Sequence, residues 1–86
     1  MKIRLVIAGR NYHAARAVPD HLLLPEGASL DDALAALAAH LSNGDRLPES
    51  CLVAVAGAHL GNLRSHRPRL LRDGDELLLI APVAGG

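Results

Sequence analysis

The chain has 86 residues, half of them apolar, with nine Lys and Arg balanced by nine Asp and Glu and a single aromatic residue, Tyr12. One domain of this size buries only about 60 to 65% of the surface its unfolded chain exposes. A neutral chain with almost no rings lacks the basic field and the stacking platforms of a nucleic-acid binder, and one cysteine, Cys51, excludes an internal disulfide.

The opening MKIRLVIAG carries an apolar run that Arg4 interrupts and Gly9-Arg10 closes. It is too short for a membrane span or a usual signal core, so a soluble, cytoplasmic protein is expected. Within it, Ile3, Leu5 and Ile7 alternate with Lys2, Arg4 and Val6, which is strand periodicity. A polar stretch follows. HLLL at residues 21–24 then reads as a second strand pairing with the first, and Pro25-Glu26-Gly27 as a turn.

SLDDALAALAAHL predicts a helix of about three turns. Ser29 can cap it and Asp32, three residues on, can complete a capping box. Asp31 and Asp32 place negative charge at the positive end of the helix dipole. Leu30, Leu34, Leu37 and Leu41 form one apolar stripe, and Asn43-Gly44 supplies a left-handed stop. CLVAVAG, residues 51–57, reads as a third strand, and residues 58–60 can add a short one. Asp73-Gly74 is a turn, and ELLLIA, residues 76–81, is the last strand. The expected architecture is α+β: a mixed sheet of four to five strands with one main helix packed on one face.

One helix covers one sheet face. Four runs nonetheless hold apolar residues in both alternation phases: residues 5–7, 22–24, 52–55 and 77–80. Strands apolar on both sides imply cover on both sides. The uncovered face is therefore expected to carry a partner-docking patch at Leu78, Ile80 and Val6. The alternative is that residues 22–24 and the Arg-rich loop fold over that face themselves.

Side-chain chemistry is sparse. The histidines, at 13, 21, 40, 59 and 66, show no metal-ligand spacing and read as surface or loop residues. Cys51 opens an apolar strand, where a free cysteine acts as a small hydrophobe. Ser29 reads as a cap, and Asp73 and Asp75 as turn residues. No glycine-rich segment forms a phosphate loop. SHRPRLLR, residues 65–72, reads as a solvated basic face. No catalytic residue, no metal site and no stably bound cofactor are expected, and the chain is not read as an enzyme in its own right.

Residues 82–86, PVAGG, are expected to form a flexible tail on a domain spanning 1–81. Pro82 cannot donate to a sheet ladder. Five residues beyond Ala81 reach roughly 17 Å when extended, and Gly85-Gly86, lacking β-carbons, can thread a channel too narrow for other residues. The group delivered would be the carboxylate of Gly86. ATP in a partner's site can convert it to an acyl-adenylate, and a sulfur nucleophile can displace AMP to leave a thiocarboxylate.

IRLVIAG, SLDDALAALAAHL, LVAVAG and above all LRDGDELLLIAPVAGG together resemble the ubiquitin-like β-grasp sulfur carriers of the MoaD/ThiS family over nearly the whole chain. The APVAGG ending looks more like the small subunit of molybdopterin synthase than the thiazole carrier. The resemblance implies a β-grasp fold. It further implies adenylation of Gly86 by an E1-like adenylyltransferase that uses ATP, thiocarboxylation by a sulfurtransferase, and insertion of Pro82, Val83, Ala84 and Gly85 into the large synthase subunit. There, sulfur would pass to a pterin precursor. Family members commonly carry aromatics in the first strand, and an asparagine after the third, where this chain has Ala56-Gly57. These departures leave other readings open: a carrier for thiamine thiazole or tRNA thiolation, a ubiquitin-like modifier joined to target lysines, or a non-catalytic β-grasp interaction module.

Overall fold

The alternation that opens the chain becomes the first strand, β1 (Lys2–Ala8), with Ile3 and Leu5 buried and Lys2 and Arg4 exposed. The computed structural model describes residues 1–8, 19–40 and 49–81. Strand β2 (His21–Leu23) pairs antiparallel with β1, Ile3 opposite Leu22. Pro25-Glu26-Gly27 turns the chain as expected: Ala28 N–H donates to Pro25 O at 3.2 Å, with Gly27 at φ 83°.

Helix α1 (Leu30–His40) begins at the expected box. The Ser29 N–H donates to Asp32 Oδ2 at 2.9 Å, and the Asp32 N–H donates back to Ser29 Oγ at 3.2 Å. Such reciprocal capping is worth about 0.5–2 kcal/mol. The buried seam differs from the leucine stripe: it is Leu30, Ala33 and Leu37, with Leu34 only half-buried. Ala33 lies fully buried at the contact, where a small side chain lets the helix approach the sheet closely. Leu41 and Asn43-Gly44 lie outside the described residues.

Strand β3 (Leu52–Val55) stops two residues short of the expected end. Ala56 and Gly57 are the turn instead, at φ 49° and 85°. Two successive positive φ values are those of a type I′ hairpin, whose twist matches the flanking strands. Ala56 is the one described non-glycine residue in that region, and a β-carbon there is costly. Ala56→Asn, which tolerates this conformation, should therefore raise stability by about 0.5–1 kcal/mol, read as an increase in denaturation midpoint at constant slope.

Strand β4 (Ala58–Asn62) runs two residues beyond the expected short strand, and a register shift falls opposite Val53 and Ala54. Strand β5 (Glu76–Ile80) follows the Asp73-Gly74 turn. That turn is tied to β1: the Lys2 N–H donates to Asp73 Oδ1 at 2.7 Å and the Gly74 N–H to Lys2 O at 2.9 Å. Asp75 Oδ2 accepts from the Arg72 N–H at 2.9 Å. Asp75 is thus occupied within the turn, and Asp73 in tying the turn to β1.

The five strands form one mixed sheet in the order β2-β1-β5-β3-β4. β1 and β5 run parallel at its centre, and the other pairings are antiparallel. The core lies between α1 and one sheet face: Ile3, Leu5, Leu22, Val53, Val55, Leu77 and Leu79 meet Leu30, Ala33 and Leu37. Burying each large aliphatic side chain contributes about 1.5–3 kcal/mol.

Candidate functional site

The other face of the sheet places partly buried apolar side chains at Val6, Leu78 and Ile80. Period-two alternation in β5 sends Leu77 and Leu79 into the core and leaves Leu78 and Ile80 half-exposed on the far side. In register, Leu78 lies between Val6 of β1 and Ala54 of β3, and Ile80 between Ala8 and Leu52. The structure thus brings Val6, Leu78 and Ile80 together and adds Leu52, 43% exposed. Residues 22–24 do not fold over this face, because Leu22 and Leu24 join the helix-side core while Leu23 is exposed. Nor does the Arg-rich loop: Leu71 is in the same core, and the backbone on either side runs along the start of α1, Leu30 N–H to Arg69 O at 2.7 Å and Leu71 N–H to Ala28 O at 2.9 Å.

The face is polarised along the strands. At the start of β5, Arg4 pairs with Glu76, Nε to Oε2 at 3.8 Å, an exposed contact of little energetic weight. At the other end lie Ala8, Ile80 and Leu52, with no charged residue in their row. Ala81 is buried there, its N–H donating to Ala8 O at 2.8 Å. This fixes the point from which the chain continues to Pro82. Pro82, Val83, Ala84, Gly85 and Gly86 themselves lie outside the described residues.

Other candidates for chemistry among the described residues have structural surroundings, while His13 lies outside the described residues. Cys51 is fully buried, and desolvation pushes its thiol up, which disfavours the nucleophilic thiolate. Ser29 is the helix cap. Among the described residues no three or more His, Cys, Asp or Glu gather as a metal set, and no helix is long and apolar enough to cross a membrane. His66 departs from the expectation of an ordinary loop histidine: its side chain is 12% exposed and reaches Asp31 across 35 positions of sequence, Nε2 to Oδ1 at 2.7 Å. Leu52 and the His66–Asp31 pair were missed because both depend on register and tertiary approach, which no local spacing encodes.

One helix laid over a mixed sheet whose two central strands run parallel defines a β-grasp protein. The model of the ThiS family matches residues 6–86, and the chain belongs to that family. It is therefore a sulfur carrier in the general sense, of a kind that works with E1-like activating enzymes and acceptor enzymes. No curated protein and no solved structure matches the chain.

Proposed function

We propose that the chain carries sulfur for molybdopterin synthesis, with Gly86 as the carrying residue. The family match through residue 86 supports the sulfur-carrier part of this reading, and the resemblance of the APVAGG segment to the molybdopterin synthase small subunit is what favours this pathway. In this reading a carboxylate oxygen of Gly86 attacks the α-phosphorus of ATP in the E1-like adenylyltransferase, and pyrophosphate leaves. Sulfur at the sulfide level, supplied by a sulfurtransferase, attacks the carbonyl carbon. AMP departs with one oxygen and a thiocarboxylate remains. Val6, Leu78 and Ile80 dock the partner, while Pro82, Val83, Ala84 and Gly85 carry the terminus into the large synthase subunit. Transfer to the pterin breaks the carbon–sulfur bond, and water restores the carboxylate.

The patch supports this reading through its position. It occupies the end of β5 from which residues 82–86 follow, so a partner seated on it lies within reach of about five extended residues. A thiazole or tRNA-thiolation carrier would use the same chemistry, and the acceptor separates them. Incubation with ATP, an E1-like enzyme and a sulfur donor should give the mass gain of one oxygen-to-sulfur exchange. The product should then lose its sulfur to the large molybdopterin synthase subunit with a pterin precursor, and not to thiazole synthase with its substrates. The reverse preference overturns the pathway, lysine adducts of higher mass in a lysate indicate a modifier, and an unchanged mass indicates an interaction module.

A further inference from the structure

The chain after β4 folds back on the strand it has just left. The Asn62 N–H donates to Ser65 O and the Arg67 N–H to Leu60 O, both at 2.9 Å, and Gly61 bridges His66. β4 is the last strand of the sheet, and its outward backbone groups would otherwise form an open edge. Ser65 O and the Arg67 N–H occupy two of them, the Asn62 N–H and the Leu60 carbonyl. The fit is close: a β-carbon at Gly61 would sit 2.4 Å from Ser65 O.

At the centre of this cover, the His66 ring meets two oxygens. Nδ1 is 3.0 Å from Asn62 O and Nε2 is 2.7 Å from Asp31 Oδ1. A carbonyl and an ionised carboxylate only accept, whereas a neutral imidazole has one N–H to give. Either neutral tautomer would aim a lone pair at an oxygen, and only the imidazolium donates to both. We propose that His66 is a proton-controlled clasp, fastening the residue 65–67 cover over the β4 edge by tying it to the first turn of α1. Loss of the proton releases one of the two contacts, and the backbone edge of β4 opens to another strand.

Asp31, from α1, is the charged side chain that bears on the ring, and β4 supplies the Asn62 carbonyl. The neighbouring Asp32 is engaged by Ser29, and Arg64 and Arg67, on the same segment as His66, are exposed. The Asp31 hydrogen bond raises His66 above its ordinary value of 6.5, against a smaller opposing effect of desolvation. A folded value above the unfolded one means that the clasp contributes fully below the unfolded value. Its contribution is lost as pH rises through the folded value.

The test is residue-resolved amide exchange on the intact chain between about pH 5.5 and pH 9, corrected for intrinsic rates, beside an NMR titration of the His66 ring. Protection of the Asn62 and Arg67 amides should fall about tenfold relative to Val53 and Leu79, tracking the His66 titration. Asp31→Asn should move that midpoint down, because it removes the carboxylate that raises His66, and His66→Gln should make protection in the cover independent of pH. A flat wild-type profile overturns the clasp, as does a midpoint that Asp31→Asn leaves in place; both readings stand even if His66→Gln fails to fold.

Discussion

A variant that stops at Gly85 should form no thiocarboxylate and deliver no sulfur, while unfolding at the temperature of the full chain. The stability half follows from the core, whose described members run from Ile3 to Ala81, so the truncation removes none of them. The activity half follows from reach. The shortened chain still carries a carboxylate, but that group is withdrawn by one residue, roughly 3.5 Å in an extended backbone. A displacement of even about 1 Å at a reacting centre can cost a hundredfold in rate, so several ångströms should leave the carboxylate short of the α-phosphate. Gly86→Ala separates reach from width, because it keeps the length and adds a β-carbon where a narrow channel would exclude it. Intact mass after incubation with ATP, the activating enzyme and a sulfur donor reads both variants against melting curves. A Gly85-terminated chain that gains sulfur at the wild-type rate would remove Gly86 from the mechanism.

The parts of the fold that were legible in the sequence are those coded over short distances. β1, α1 and β5 announce themselves by period and by the Ser29–Asp32 box, and their observed bounds differ little from the expected ones. The apolar Ala56 extended β3 on paper, although its φ of 49° makes it a turn residue; hydrophobicity carries no record of handedness there. Gly61 and Asn62 lengthen β4 against their own strand preferences because they pair with Val53 and Leu52 of β3 on one side and meet residues 65–66 on the other. The patch was half legible. Alternation gives the face of Val6, Leu78 and Ile80, but Leu52 joins them only through the register of β3 against β5. The contact of His66 with Asp31 had no local signature at all.

The second large effect contrasts two neighbours on β5. Leu79 is fully buried in the core and Ile80 is half-exposed on the opposite face. Leu79→Ala should cost about 2–5 kcal/mol, the sum of lost burial and the cavity left behind, and in a domain of this size that is a large share of total stability. It should read as a lower denaturation midpoint with docking intact at temperatures where the variant is folded. Ile80→Asp should do the reverse. Its carboxylate can stay in water in the free protein, so the melting temperature should move little. Binding to the activating enzyme or the acceptor should weaken at least tenfold, because docking would bury an unpaired charge. Leu52→Asp, directly across the register from Ile80, should behave like Ile80→Asp if the patch is continuous across β3 and β5. Collapse of the fold in Ile80→Asp would make that side chain part of the core. Unchanged binding in both aspartate variants would move docking to another surface, and would leave the alternation of β5 explained by packing alone.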